Sequence, residues 1–393
     1  MRARRATLGI VFLIVFVDLV GFGIVIPILP TYAEDLGPSP LVLGLLMASF
    51  SIMQLLATPL LGRLSDRYGR RPVLLLSLLG SVAGYVLFAV ADSLPLLFLS
   101  RIVDGFSGGN ISTAKAVIAD ITAPEDRARG MGLIGAAFGL GFIFGPAVGG
   151  RLADLASWMP GAAAAAASLL AFVLVLVILP ETRRAGGPMA PRLDFASLAR
   201  SVSRPGLGFV LGAGFLAILA LAGFETVFAQ WLRATFDLSR GRISDLFAVL
   251  GVLAALVQGV LVGRLARRYG EARLLVGGGL LAALALALLP GVVGLWWLVA
   301  DLALLALGIG VATPAASSLV SRLASAEEQG GALGLFEALR SLARVVGPLG
   351  GELLYGVGRG WPFHVGAVLM LGAAGAAAPL LGRPVDAKVG DTA

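Results

Sequence analysis

Apolar runs of about twenty residues recur along the whole chain, and nothing else restricts its fold so strongly. A hydrocarbon layer roughly 30 Å thick requires about 20 apolar residues of a helix that spans it. Twelve candidate spans of this kind can be read, at 8–30, 41–62, 72–91, 94–119, 130–152, 159–180, 205–232, 243–263, 273–290, 294–320, 331–356 and 361–382. Apolar residues make up 58% of the 393, more than a water-soluble domain could hide. Transmembrane barrels alternate polar and apolar residues over roughly ten-residue strands, and no such alternation is present. The expectation is an all-α membrane protein. The first run is too long for the apolar segment of a signal peptide and contains Asp18, so it reads as an uncleaved first span. There are no cysteines, which excludes disulfides and Cys-ligated metals, and there is one histidine, His364; no metal or cofactor is expected.

Charge placement sets the expected orientation. With the N-terminus in the cytoplasm, inner loops, tails and adjoining span ends hold 21 of the 30 Lys and Arg, and outer loops with their span ends hold five: Arg151, Arg233, Arg240, Arg242 and Arg359. This is the positive-inside pattern. It accounts for the net charge of +7 without nucleic acid and puts both termini in the cytoplasm, as in a multi-pass inner-membrane protein. All five tryptophans fall at outer span ends, where interfacial rings are expected. Most connections are short. The polar stretch 181–204 is the exception, a linker dividing a six-helix bundle over 1–180 from another over 205–393.

The halves echo each other. GRLSDRYGRR at 62–71 and GRLARRYGEA at 263–272 both fall between the second and third spans of their half. GPAVGG at 145–150 and GPLGG at 347–351 fall in the fifth span of each. Parallel repeats of this kind recur among secondary transporters.

Ionisable residues inside a membrane normally face protein or a wet cavity. Here they are assigned to spans 1, 4, 7 and 11: Asp18; Arg101, Asp104 and Lys115; Glu225; Glu337, Arg340 and Arg344. Helical spacing puts Arg101, Asp104 and Lys115 on one face of span 4, and the three charges of span 11 on one face of theirs. Two readings stand. Arg101–Asp104 and Glu337–Arg340 are structural ion pairs, or the charges line a polar route between the halves. Asp18, Asp104 and Glu225 are then the candidate proton carriers, and Arg101, Asn110, Lys115, Gln230, Glu337, Arg340 and Arg344 the candidate cavity residues. Gly141, Gly145, Pro146, Gly149 and Gly150 form a stripe of small residues that serves close helix packing or a bend that seals the outer side. GFSGG at 105–109 matches G-x-S-x-G, but it lies inside an apolar helix with no histidine beside it, which argues against a hydrolase. No phosphate-loop motif is present, so the chain is not expected to be an enzyme or an ATP-driven pump.

Taken together, GRLSDRYGRRPVLL, DLVGFGIVIPILP, RIVDG, IADITAPEDRARG and GLGFIFGPAVGG resemble the major facilitator superfamily along the whole chain, and most of all its twelve-span drug/proton antiporter branch, which includes tetracycline exporters. That resemblance implies two pseudo-symmetric six-helix bundles. It also implies an inner gate latch of Gly62, Asp66, Arg67, Gly69, Arg70 and Arg71. Arg70 would pair with Asp120, and Asp66 would cap the helix that starts near Gly331. Arg267 stands where the first half has Asp66, so the second half is expected to lack a latch. Tetracycline exporters carry acids in spans 3 and 9, where this chain has Gly84 and GGGLLAALALALL. The resulting expectation is a secondary transporter, acting as a monomer in the lipid bilayer, that exchanges protons for a drug-like compound or small metabolite. A uniporter or symporter for an organic anion or lipid, and a non-transporting receptor or scaffold, are the alternatives.

Overall fold

The computed structural model describes residues 2–122, 127–182, 205–324 and 329–381. Among these residues every regular element is helical. The helices are α1 (Arg2–Glu34), α2 (Pro40–Tyr68), α3 (Arg70–Ala89), α4 (Leu94–Ser107), α5 (Asn110–Ile121), α6 (Arg127–Leu155) and α7 (Met159–Ile178). They continue with α8 (Pro205–Phe236), α9 (Arg240–Leu256), α10 (Val262–Tyr269), α11 (Glu271–Leu288), α12 (Leu295–Leu323), α13 (Gln329–Val357) and α14 (Trp361–Ala377). A π turn, Val257–Leu261, joins α9 to α10, so the two form one rod.

Nine stretches of the described residues are long and apolar enough to cross a membrane. The other three expected spans are also helical. Span 4 is broken at Gly108–Gly109 into helices of 14 and 12 residues, because two consecutive glycines hold a helix poorly. α6 and α13 each run 29 residues, roughly 44 Å at about 1.5 Å per residue. α13 carries Glu337, Arg340, Arg344 and Glu352, which lower its hydropathy. The outward faces are those of a lipid-facing surface. The most apolar window of α7 has a mean hydropathy of 2.6 yet is only 33% buried, and Leu170, Val173 and Val177 point away from the protein.

The described residues fall into two compact units. One comprises Met1–Pro191 with Phe228–Gly251, the other Arg192–Val227 with Val252–Ala393. The C-terminal part of α8 and most of α9 thus group with the first six spans. Trp231 shows the consequence. The sequence placed it at a lipid interface, but it is buried, stacked on Phe228 and edge-on to Phe236. Trp158, Trp296, Trp297 and Trp361 are exposed, as interfacial rings should be.

In the first unit α1 packs along α6 through the glycine stripe. A Cβ on Gly145 would lie 2.7 Å from the Gly23 Cα, and one on Gly149 would lie 3.0 Å from the Ile24 Cα. α6 stays helical through Pro146. The second unit repeats the arrangement with α8 and α13. A Cβ on Gly347 would lie 3.0 Å from the Gly223 amide nitrogen, and one on Gly351 would lie 2.9 Å from its carbonyl oxygen. The paired motifs therefore do the same packing work in each half.

Candidate functional site

Within the first unit, α1, α3, α4 and α5 turn polar side chains toward one another in an otherwise apolar bundle. Asp18, Arg101 and Asp104 are 7%, 2% and 1% exposed. An Arg101 Nη1–Asp104 Oδ2 ion pair spans 3.2 Å. The Arg101 guanidinium also sits 5.4 Å from the centre of the Phe88 ring and donates to Ser100 Oγ at 3.3 Å. The Tyr85 hydroxyl reaches Asp104, and its ring lies against α1 because position 21 is glycine: a Cβ there would be 2.4 Å from the hydroxyl oxygen. Gly84 does the same for α4, where a Cβ would meet that of Asp104 at 2.8 Å. The glycine that replaces an acid in span 3 is thus what lets Asp104 approach. Ser81 donates to Asp18 at 3.5 Å, and the Asn110 amide lies beside the Asp18 carboxyl, outside good hydrogen-bond geometry.

The cluster is incompletely satisfied. Among the described residues Arg101 Nε, both amide atoms of Asn110, Ser77 Oγ and Thr113 Oγ1 are buried with no hydrogen bond. Unpaired buried polar atoms are costly, and a native site retains them where a proton, water or ligand arrives. Lys115 does not share this face. The break at Gly108–Gly109 shifts the buried stripe of α5 to Asn110, Thr113, Ala114 and Val117, and leaves Lys115 half-buried. Gln230, in the α8 segment of the same unit, is buried.

The 62–71 turn is a compact ion network. Arg70 is buried and donates through Nε to Asp120 at 3.0 Å, and through Nη1 to Asp66 and Ser65, each at 2.7 Å. Gly69 takes φ +103°, which a side chain rarely adopts. This turns the first two amides of α3 onto the Glu181 carboxylate, at 2.9 Å from Arg70 N and 3.2 Å from Arg71 N. Glu181 was not among the expected residues. Arg71 donates to the Leu176 carbonyl, Arg67 lies over the Tyr68 ring, and Gly62 approaches Ser112.

The corresponding turn of the second half also holds an ion pair, with its charges reversed. Glu271 stands at the position of Arg70 and accepts from Arg322 at 2.8 Å and Ser318 at 3.3 Å. Arg322 follows Glu271 by 51 residues, as Asp120 follows Arg70 by 50. Comparing Asp66 with Arg267 alone hid an inversion of the whole set: Asp66, Arg70 and Asp120 against Arg267, Glu271 and Arg322.

At the opposite end of the first unit, Asp35 holds both Arg233 and Arg240, and the two guanidinium groups also donate to the Thr31 carbonyl. Asp154 accepts from the Gly241 amide at 3.0 Å, Arg151 meets Asp245 at 3.2 Å, and a Cβ on Gly150 would strike Ser244. Three of the five arginines counted as outer-loop charges are therefore paired with acids distant in sequence.

In the second unit Arg344 is the charge facing Glu225, and Glu337 pairs with Arg340 at 3.1 Å. Arg340 also lies over the Phe336 ring and borders a narrow apolar cavity of about 30 Å³, lined further by Gly214, Leu221, Gly278, Thr313 and Met370. Asp301 in α12 was overlooked in assigning charges to spans. It is buried, and its Oδ2 has no hydrogen-bond partner among the described residues. Glu352 in α13, also overlooked, is buried. An acid within a long apolar run was the available signal for both.

Comparison with known proteins gives a consistent picture. A sequence profile described as Major Facilitator Superfamily matches residues 11–224 and again residues 210–393. The "Tetracycline resistance protein, class G" of Vibrio anguillarum is 36% identical over 97% of this chain and 98% of its own length. "Multidrug resistance protein 1" of Bacillus subtilis (strain 168) is 31% identical over 94% of this chain and 95% of its own. Among solved structures, the human organic anion transporter MFSD10 (TETRAN) superposes with a TM-score of 0.73 at 28% identity, covering 95% of this chain and 99% of that one.

Proposed function

The chain belongs to the Major Facilitator Superfamily and is a multi-pass membrane transporter of that family, and on that premise we propose that it exports a drug-like compound or small metabolite in exchange for protons, by alternating access. The buried cluster of the first unit carries this reading. One guanidinium, Arg101, pairs with Asp104 at 3.2 Å, while the second buried carboxyl, Asp18, has Asp104, Asn110 and Ser81 as its neighbours. The cluster holds one negative charge in excess, inside a bundle where an uncompensated charge is expensive. A single proton, or a cationic substrate, balances it. Competition of the two for Asp18 is the elementary step of an exchanger, with Asp104 and Glu225 as further carriers. The drug-resistance names of the relatives support export.

In this reading the termini lie in the cytoplasm, the membrane is the cell's inner membrane, and the chain works as a monomer. The Asp66–Arg70–Asp120 network then holds the inner side together, and the Asp35–Arg233–Arg240 cluster the outer. The test is transport by purified protein in vesicles with an imposed pH gradient, screened over a panel of compounds that includes tetracycline. Asp18→Asn is expected to abolish gradient-driven transport while sparing substrate–substrate exchange. Unchanged gradient-driven transport by Asp18→Asn would remove Asp18 from the coupling step.

A second reading, exchange or co-transport of an organic anion, is favoured by Arg340 at the edge of the second unit's cavity and by the description of the human relative. Acidification of the vesicle interior when substrate is added inside supports exchange; alkalinisation supports co-transport.

A further inference from the structure

The loop between α10 and α11 opens into a pocket whose counterpart in the first repeat is filled by a carboxylate. In the first repeat a Cβ on Gly69 would lie 2.4 Å from Glu181 Oε2, because the Glu181 side chain occupies the notch that this glycine makes before α3. In the second repeat Gly270 has the same positive φ, +79°, but nothing among the described residues lies within 4 Å of a Cβ placed there. The notch widens into a pocket of about 440 Å³, bordered by Arg267, Arg273, Arg322 and Glu271, with Leu380 and Leu381 as an apolar floor.

The charges around it do not balance. Glu271 is engaged by Arg322 at 2.8 Å and by its own backbone N–H. Of the other basic groups in the loop, Arg264 donates to the Val260 carbonyl and Arg268 lies over the Tyr269 ring. Arg267 and Arg273 make no hydrogen bond or ion pair among the described residues, and both border the pocket. The amides of Ala272 and Arg273, in the first turn of α11, have no carbonyl of their own helix to bond. Two guanidinium groups without a partner among the described residues, beside first-turn amides, match the oxygens of a phosphate, with its several acceptors, better than a lone carboxylate. The volume exceeds what a carboxylate needs, and the leucine floor suits the glyceride end of a lipid.

We propose that this pocket binds a phosphate group, and that its source is the headgroup of an anionic phospholipid in the adjoining leaflet. It takes, from the membrane, the negative charge that Glu181 supplies within the first repeat. The site is separate from the buried cluster and does not depend on the transport reading.

The test uses the full chain purified in detergent. Native mass spectrometry follows the retention of phosphatidylglycerol and of phosphatidylcholine with the same acyl chains. The variants are Arg267→Gln/Arg273→Gln, the conservative Arg267→Lys/Arg273→Lys, and Arg242→Gln as a control outside the pocket. A parallel series measures the unfolding temperature with and without inorganic phosphate. Wild type should retain phosphatidylglycerol in preference to phosphatidylcholine. The glutamine pair should weaken that binding by about fivefold per arginine removed, the equivalent of about 1 kcal/mol per basic residue at an anionic surface. The lysine pair should keep most of it, and Arg242→Gln should change nothing. Stabilisation of wild type but not of the glutamine pair by inorganic phosphate, without lipid preference, would keep the phosphate site and overturn its lipid source. Equal phosphatidylglycerol retention by wild type and the glutamine pair, with no effect of inorganic phosphate, would overturn the proposal.

Discussion

Replacing Arg70 by glutamine should cost far more stability than replacing Arg322, although the two sit in corresponding ion networks. The Arg70 side chain is 8% exposed and faces Asp66 at 10% and Asp120 at 28%. Glutamine keeps a polar group of similar reach but removes the guanidinium that bridges both acids. Breaking a buried ion pair costs about 3–5 kcal/mol. Because Asp120 regains some solvent, the lower end, about 3 kcal/mol, is expected. Arg322 is 42% exposed and its partner Glu271 17%, so solvent screens that pair, and it is worth at most about 1 kcal/mol. At roughly 2–4 °C per kcal/mol for a unit the size of one half, Arg70→Gln should lower the unfolding temperature by about 6–12 °C and Arg322→Gln by no more than about 4 °C. Thermal unfolding of purified protein at low and high salt reads both numbers. The Arg322 effect should shrink with added salt and the Arg70 effect should persist. Adding Asp66→Asn and Asp120→Asn to Arg70→Gln should recover part of the loss, since it removes the two carboxylates that Arg70 bridged. An Arg322→Gln penalty as large as that of Arg70→Gln, or no recovery in the triple variant, would refute the reasoning.

Two further outcomes are expected. Gly145→Ala places a methyl 2.7 Å from the Gly23 Cα, against backbone that cannot yield, so folded protein on size-exclusion chromatography should fall sharply. Gly139→Ala on the same helix meets nothing within 4 Å and should behave as wild type. Asp35→Asn strips Arg233 and Arg240 of their shared carboxylate but, at an exposed site, should change stability by about 1 kcal/mol or less. Its effect should appear instead in the seating of α9 on α6. The chain has no cysteine, so Ser244→Cys, buried against Gly150, is a background-free reporter. Maleimide labelling of Ser244→Cys should quicken in the Asp35→Asn background, and an unchanged rate would sink the idea.

Periodicity and length made the spans legible, because bilayer thickness imposes them on the sequence directly. Arg101–Asp104 and Glu337–Arg340 were legible because three-residue spacing on one helix brings side chains together without any tertiary information. Asp120 as the partner of Arg70 came from the family resemblance, since nothing in the spacing joins residues fifty apart. Tyr85 was not legible. Its role depends on Gly21, on the neighbouring helix, and on Gly84, beside it on α3, which lets Asp104 approach, and a glycine gives no sign of what will lie against it. The exclusion of Lys115 was legible in principle, because consecutive glycines at 108–109 should have lowered trust in one continuous helix through span 4. Trp231 misled because an aromatic at a span end packs inward or faces lipid with the same local sequence. Glu271 and Arg322 were in plain view, but an inverted pair shows itself only when every position of the repeat is compared.

That inversion has a consequence for how the chain assembles. Twin halves built from one pattern risk mistaking each other's parts while they are still being inserted. If the turn of one half met the helix end that belongs to the other, Arg70 would confront Arg322 and Glu271 would confront Asp120. Both encounters repel, so each half rejects its sibling's components and accepts its own. Opposite polarity would thus act as an address label, one that leaves each repeat its own pair.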